Sequence, residues 1–215
     1  MKKLIRQNLS YFIPYFIFLG IAIPAILIYP KLELHLLTNS YHSGFADVFF
    51  KTITFLGDGT APFIIAIPFL FFSFRKTLIL LVAGNIAGII AQLLKRMVFS
   101  DSKRPWAYFR ETEGFHTVQG VDLHSSFSFP SGHSATVFAL SICLATFVKH
   151  PLWKVLLLII AVFTAYSRVY ISQHFLVDIC VGSLTGIFFG LLSLWIINQR
   201  KAAWLDLSLL TLKQD

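Results

Sequence analysis

The feature that most constrains this chain is a series of apolar runs, each close to the length needed to cross a bilayer. A membrane-spanning helix needs about 20 mostly apolar residues. Hydrophobic residues make up 56% of the chain and charged residues only 13%, which excludes an ordinary water-soluble globule. We therefore predict an all-α polytopic membrane protein, a single domain over residues 1–215 with six transmembrane helices in one bundle and additional interfacial segments. The six runs are at about 11–30, 58–74, 77–97, 132–148, 153–171 and 176–198.

The connections between these runs predict the topology. The second and third runs are separated only by Arg75 and Lys76, and the fourth and fifth only by 149–151, so both pairs are predicted to be tight antiparallel hairpins. Both turns then lie on one side of the membrane, together with both termini. Basic residues favour the cytoplasmic side of a membrane protein. We therefore expect cytoplasmic termini, with segments 31–57 and 98–131 facing outward. The basic residues assigned to the inner side are Lys2, Lys3, Arg6, Arg75, Lys76, Lys149, Lys154, Arg200, Lys201 and Lys213.

A first polar cluster follows the third run, where Lys95, Arg96, Lys103 and Arg104 are concentrated. One interpretation is that they are interfacial anchors whose charged ends reach water. The sharper interpretation is an anion site, because a guanidinium offers a planar fork to phosphate oxygens and an ammonium offers a compact charge.

A second cluster is the tetrapeptide from Pro130 to His133. Pro130 disfavours helix in the residue before it, and Ser131 is well suited to be the N-cap of the helix that follows. The free N–H groups of that helix would point outward, and Gly132 would leave them open to an anion. His133 would lie in the first turn, within reach of that anion. The alternative is a capped helix with an incidental histidine.

A third cluster joins the fifth and sixth runs. His174 and Asp178 are four residues apart, so on a continuous helix the carboxylate would accept a hydrogen bond from the imidazole. Such a bond makes the far nitrogen a better base or nucleophile. Arg168 precedes the pair by six residues. The alternatives are a structural histidine–aspartate pair, or a metal site completed by His133, which the nearby cations disfavour.

All three clusters fall on the predicted outer side, and together they resemble the motifs of the type 2 phosphatidic acid phosphatase superfamily of integral membrane lipid phosphatases. The motif P-S-G-H is matched by residues 130–133, and S-R-x5-H-x3-D is matched without a gap from Ser167 to Asp178. The motif K-x6-R-P is matched loosely: Arg104 and Pro105 are present, but Lys95 lies two residues too far back. Arg96 and Lys103 are therefore alternatives for the lysine position. The resemblance covers about residues 50–195, and the motif-bearing core about 50–198.

The resemblance implies a reaction and a role for each matching residue. His174 would attack phosphorus and become a phosphohistidine, with Asp178 orienting its ring. His133 would protonate the leaving group and then activate water. No metal and no organic cofactor is implied. The residues that would hold the phosphoryl oxygens are Lys95, Arg104, Arg168, Ser131 and Gly132.

The outward site and the aromatic-rich loop 106–129 indicate a substrate whose apolar tail stays in the membrane, and so a lipid phosphate. Candidates are undecaprenyl diphosphate, phosphatidylglycerophosphate, phosphatidate and lipid A 1-phosphate. The short chain is similar to bacterial members, so we expect a multi-pass protein of the bacterial inner membrane with a periplasmic or external site. A lipid phosphotransferase, or a non-enzymatic lipid-phosphate binder or flippase, is the alternative. Nucleic acid is not an expected partner, because topology and the anion pocket explain the net charge of +8.

Overall fold

The computed structural model describes the backbone of residues 2–212 and side chains from Leu4 onward, so the side chains of Lys2, Lys3 and Lys213 lie outside it. Within residues 2–212 the regular structure is helical, apart from an isolated β-bridge between Lys103 and Ser126, and the predicted all-α class is confirmed. Short 3-10 segments cover Thr54–Gly57, Ile67–Phe71 and Ala203–Asp206. The α-helices are α1 (Lys2–Gln7), α2 (Leu9–Ile28), α3 (Lys31–Asn39), α4 (Gly44–Ile53), α5 (Ala61–Ala66), α6 (Phe74–Met97), α7 (Pro105–Phe109), α8 (Gly132–Phe147), α9 (Pro151–Tyr170), α10 (Leu176–Asn198) and α11 (Leu209–Leu212).

Four of the predicted spans are helices of membrane-spanning length and composition. They are α2, α6, α9 and α10, with 20 to 24 residues each, and they correspond to the first, third, fifth and sixth apolar runs. The fourth run forms α8, which has 16 residues and is shorter than the other four.

The second run, 58–74, is wrong as a single straight helix. It consists of α5 and a 3-10 segment, and the apolar stretch Gly44–Gly57 before it meets Ala61–Phe71 at an angle of 72°. Pro68 lies inside the 3-10 segment, where its missing N–H and its ring disfavour a regular α-helix. Four helices, or five counting this bent pair as one span, therefore meet the requirement among residues 2–212, and the count of six is not confirmed.

The two predicted hairpin turns are present. The first turn, however, ends at Ser73, before Arg75 and Lys76, which were predicted to form it. Ser73 caps α6 by accepting a hydrogen bond from the N–H of Lys76 at 3.4 Å, so Arg75 and Lys76 belong to the first helical turn. In the second turn His150 caps α9, its Nδ1 accepting the N–H of Leu152 at 3.2 Å. The first N–H groups of a helix have no acceptor within the helix. The side chains of Ser73 and His150 accept one of these N–H groups each.

Helix α8 lies at the centre of the bundle and packs against α6, α9 and α10. Helix α10 approaches α8 closely because it presents a glycine at every fourth position, where a side chain would meet α8. These glycines are Gly182, Gly186 and Gly190, and small residues of this kind are typical of closely packed membrane helices. A Cβ atom on Gly182 would come within 2.5 Å of the carbonyl oxygen of Ser131. The N–H of Ser131 donates to the carbonyl oxygen of Asp178 at 3.0 Å. The starts of α8 and α10, which carry the second and third polar clusters, are thereby held together.

Both terminal segments, as far as they are described, lie at the same end of the bundle. The ammonium of Lys154, near the start of α9, donates to the carbonyl oxygen of Gln7 and to Oδ1 of Asn8, each at 2.7 Å. Arg75, at the start of α6, pairs with Asp206 at 2.8 Å. The three polar clusters lie at the opposite end of these helices.

Candidate active site

The three polar clusters converge on one cavity of about 520 Å³. Of the three candidates for the lysine of the first motif, Lys95 and Arg96 line this cavity, whereas Lys103 is exposed and does not. The sequence-predicted residues that line it, together with Arg96, are Lys95, Arg104, Gly132, His133, Arg168 and His174.

His174 lies in the connection between α9 and α10. Because α9 ends at Tyr170 and α10 begins only at Leu176, close to the predicted bounds of these two runs, His174 does not belong to a regular helix. The backbone N–H of His174 instead donates to the carbonyl oxygen of Arg168 at 2.9 Å. Its side chain is 1% exposed, and Nδ1 lies 3.3 Å from Oδ2 of Asp178, so Nε2 is the ring nitrogen left for a substrate.

The charge state of His174 follows from its surroundings. Burial lowers the pKa of the imidazole well below its ordinary value, and the positive charges of Lys95, Arg104 and Arg168 lower it further. Because the protonated form is disfavoured, the ring is neutral at neutral pH. A neutral imidazole with a free nitrogen is the form that acts as a nucleophile.

Asp178 is buried behind His174, and one of its carboxylate oxygens has three hydrogen-bond partners. Its Oδ2 accepts the backbone N–H of Phe175 at 3.0 Å and the hydroxyl of Ser128, in addition to the contact with Nδ1 of His174. A carboxylate held by three donors orients the ring and stabilises positive charge on it. Ser128 was not identified from the sequence, where its only signal is its position two residues before Pro130.

The two arginines are each anchored by residues that the sequence analysis also missed. Nη1 of Arg168 donates to Oγ1 of Thr54 at 3.0 Å, while its buried Nε has no hydrogen-bond partner among the described residues. Nη1 of Arg104 donates to the side-chain oxygen of Gln173, and Nε donates to the carbonyl oxygen of Ser126 at 2.9 Å. These contacts fix the guanidinium groups to the scaffold and leave an unsatisfied donor on Arg168.

The charge lining the cavity is strongly positive. Lys95 lies in the last turn of α6, is 3% exposed and has no carboxylate within salt-bridge distance in the described chain. Asp58 lines the cavity too, but its Oδ1 accepts the N–H and hydroxyl of Thr60, each at 2.9 Å. Against this one carboxylate stand Lys95, Arg96, Arg104 and Arg168. Such a surplus of cations is suited to a multiply charged anion.

At the start of α8 the predicted residues divide into two groups. The side chain of Ser131 is fully buried, accepts the N–H of Ser134 at 3.3 Å, and does not line the cavity, so it caps the helix from behind. Gly132 and His133 do line the cavity. A Cβ atom on Gly132 would have its nearest neighbour, Nε2 of Gln92, at 3.8 Å, so it would project into open space where a ligand can approach.

The cavity also extends along α6 toward the middle of the bundle. Its lining runs from Lys95 back to Gly84, a distance of about 16 Å at a rise of about 1.5 Å per residue. Apolar side chains, among them Ile89 and Leu93, take part in this deeper wall. At the deeper end Gly84 packs closely against Pro62, and both residues line the cavity.

A metal site was one alternative interpretation of the third polar cluster. Within the described part of the chain, no group of three or more His, Cys, Asp or Glu side chains is arranged to hold a metal ion. The set of His133, His174 and Asp178, considered from the sequence as a metal site, does not form such a group.

Comparison with known families agrees with this arrangement. The family model of the PAP2 superfamily matches residues 76–202, a range that contains all three motifs from Lys95 to Asp178. This chain belongs to the PAP2 superfamily. Residues 55–59, with the sequence FLGDG, lie outside the matched range, although Gly57, Asp58 and Gly59 of this segment line the cavity.

Individual relatives of this PAP2 protein include two curated bacterial phosphatases. Lipid A 1-phosphatase of Rhizobium johnstonii is 33% identical over 108 residues, 50% of this chain and 42% of that protein. Putative undecaprenyl-diphosphatase YbjG of Escherichia coli is 42% identical over 73 residues, 34% of this chain and 35% of that protein. The matched region therefore spans less than half the length of either relative.

Two solved structures share the fold. The crystal structure of Aquifex aeolicus LpxE superimposes with a TM-score of 0.66 at 30% identity, covering 77% of this chain and 94% of that one. The PAP2 type phosphatidylglycerolphosphate phosphatase from Bacillus subtilis superimposes with a TM-score of 0.63 at 24% identity, covering 88% and 98%. The helical bundle thus shares its fold with a PAP2-type membrane phosphatase.

Proposed function

We propose that this PAP2 protein is a metal-independent lipid phosphatase that passes the phosphoryl group first to His174 and then to water. One observation carries the proposal: a single cavity presents a neutral imidazole backed by a buried carboxylate, a second imidazole, and a surplus of cations. This combination provides a nucleophile, a proton donor and charge stabilisation for phosphoryl transfer.

In the first step Nε2 of His174 attacks phosphorus. The N–P bond forms as the bond from phosphorus to the leaving oxygen breaks. The anionic phosphoryl group beside His133 favours the protonated form of its imidazole, which supplies the proton that the leaving oxygen needs. Asp178, at 3.3 Å from Nδ1, stabilises the positive charge that develops on the ring. In the second step water attacks phosphorus, His133 takes the proton of that water, and the N–P bond breaks to release phosphate.

The phosphoryl oxygens are held by Lys95, Arg104 and Arg168, with the backbone N–H at Gly132 as a further donor. The unpartnered Nε of Arg168 provides a buried donor for one of these oxygens. Because charge spreads over the equatorial oxygens in the transition state, fixed cations lower the barrier. Ser131 contributes by capping α8, which orients its N-terminal N–H groups.

The substrate class we propose is a phosphorylated membrane lipid. The cavity descends about 16 Å along α6 past apolar side chains, which fits a head group attached to an apolar tail. The names of both curated relatives also denote lipid phosphates. The site would face the periplasm or exterior of a bacterial inner membrane. Ten basic residues are assigned to the end that carries both terminal segments and eight to the other end, but four of those eight, Lys95, Arg96, Arg104 and Arg168, line the cavity, so the basic residues outside the site favour a cytoplasmic position for the termini.

The test is phosphate release by the purified protein in detergent with excess chelator, using a panel of lipid phosphates and diphosphates. We expect release by the wild type and by His42→Ala, an exposed histidine that does not line the cavity, and loss of release in His174→Ala. Acid-labile label should accumulate on the wild type after rapid quenching with radiolabelled substrate, and not on His174→Ala.

Other outcomes would contradict distinct parts of the proposal. Release from folded His174→Ala would exclude the phosphohistidine, and dependence on a divalent ion would exclude the metal-independent mechanism. A phosphorylated acceptor lipid without free phosphate would show a phosphotransferase. Binding of lipid phosphates with neither product would show a binder or flippase.

A further inference from the structure

A second cavity of about 520 Å³ lies at the opposite end of the bundle from the catalytic cluster. It is formed where α6 and α9 begin and where α8 and α10 end. Among the residues that the structure describes, four basic side chains and no acidic one line it. These basic residues are Arg75, Lys76, Lys149 and Lys154.

Lys154 shows that this cavity is more than a patch of surface charge. The residue is nearly buried, at 6% exposed, yet within the described part of the chain its ammonium donates only to neutral acceptors, the carbonyl oxygen of Gln7 and Oδ1 of Asn8. An ammonium carries three N–H donors, so one donor remains. A buried cation without a counterion is costly. An anion in the cavity would supply the missing counterion.

The other cations of the cavity are not equivalent. Arg75 is occupied, because it pairs with Asp206 at 2.8 Å and donates to the carbonyl oxygen of Ile197 at 2.8 Å. Lys76 and Lys149 have no carboxylate within salt-bridge distance among the described residues. Topology alone explains basic residues at a cytoplasmic end. It does not require a cavity or a buried lysine.

An apolar neighbour indicates what kind of anion fits. A cavity of about 370 Å³ lined by Leu4, Leu194, Trp195, Asn198 and Gln199 shares three of these residues, Leu4, Leu194 and Asn198, with the basic cavity. Trp195 is 47% exposed on the outside of the bundle, where the bilayer would contact it. The cationic cavity would hold the charged head group of a lipid, and the adjoining apolar cavity would hold the beginning of its acyl chains.

We propose that this second cavity binds the phosphate group of an anionic phospholipid, with the acyl chains passing beside Leu194 and Trp195. The cationic groups of the two cavities lie about 28 Å apart along α6, from Lys76 to Lys95, so one phosphate group cannot contact both. The proposal does not depend on the catalytic activity of the protein.

The experiment is native mass spectrometry of the detergent-purified full chain titrated with phosphatidylglycerol, and in parallel with zwitterionic phosphatidylcholine. Each lysine near a lipid phosphate is expected to change affinity by about fivefold. We therefore expect Lys76→Gln/Lys149→Gln to weaken phosphatidylglycerol binding by about 25-fold, with phosphatidylcholine unaffected. Lys154→Gln should weaken it further, and thermal unfolding of each variant checks folding.

Lys201→Gln is the matched control, because Lys201 is exposed at the same end of the chain and does not line the cavity. Equal loss in Lys201→Gln and in the double variant would show general surface electrostatics and overturn the site. Unchanged affinity in the folded double variant would also overturn it. Displacement of phosphatidylglycerol by millimolar inorganic phosphate, with phosphate protecting the wild type alone from thermal unfolding, would show a site for a free anion and contradict the lipid assignment.

Discussion

The hydroxyl of Ser128 offers a sharp test of how the candidate nucleophile is positioned. Ser128 is 1% exposed, does not line the catalytic cavity, and donates its hydroxyl to Oδ2 of Asp178. In Ser128→Ala that carboxylate oxygen keeps two donors, the N–H of Phe175 and Nδ1 of His174. The substitution removes no atom from the substrate site, so any effect on turnover passes through Asp178.

The size of the effect follows from the lost bond. A hydrogen bond to a charged group contributes about 1.5–3 kcal/mol. If this full amount positions Asp178 against the cationic ring in the transition state, kcat falls by about 10- to 150-fold, at about 1.4 kcal/mol per tenfold. KM should change little, because the phosphate-binding cations are untouched.

The assay is steady-state phosphate release from the preferred lipid in detergent, together with the thermal unfolding midpoint. Ser125→Ala is the control, since Ser125 is exposed in the same loop and its hydroxyl makes no hydrogen bond within the described structure. A folded Ser128→Ala protein with wild-type kcat would refute the positioning role. A loss expressed in KM alone would point instead to a displaced loop.

Three further predictions concern packing, phosphate binding and pH. Gly182→Ala should destabilise the bundle by about 1–3 kcal/mol, because its Cβ would meet the backbone at the start of α8, whereas Gly20→Ala, with nothing within 4 Å, should be neutral or stabilising in thermal unfolding. Gln173→Leu removes the side-chain acceptor of Arg104 and should raise KM in phosphate release by about tenfold, as expected for loss of about 1.5 kcal/mol. Burial lowers the pKa of His35 from 6.5 to about 4, so the unfolded chain binds the proton first and stability falls as pH drops through this range. The loss reaches about 3 kcal/mol near pH 4, and His35→Gln should remove it from the pH profile of unfolding.

The membrane helices show how far apolar patterning predicts this fold. Long uninterrupted runs predicted α2, α6, α9 and α10, since a run of about 20 apolar residues has few stable alternatives in a bilayer. The same criterion failed at 58–74. The mean hydropathy of this run is high, but Gly57 and Gly59 before it and Pro62 and Pro68 within it allow a sharp bend. Hydropathy measures only apolar content, so it cannot predict the bend.

The candidate site shows a similar division. Spacing identified His133, Arg168, His174 and Asp178, because each lies in a motif with a recognisable chemical role. It also predicted the contact between the imidazole of His174 and the carboxylate of Asp178, although the helix that carries Asp178 begins only at Leu176. Ser128 was missed because a serine in a loop has no distinguishing local pattern.

By itself, the sequence of this protein determined the class of the fold, the four helices that are long and apolar enough to cross a membrane, and the residue types available for phosphoryl transfer. These are local properties, set by the apolar content of each run and by side chains a few positions apart. Only the tertiary structure decided that Thr54 and Gln173 anchor the two arginines, and that the glycine stripe of α10 brings Asp178 to the start of α8. Those contacts join residues far apart in the chain, and helix packing, which depends on all the facing side chains together, establishes them.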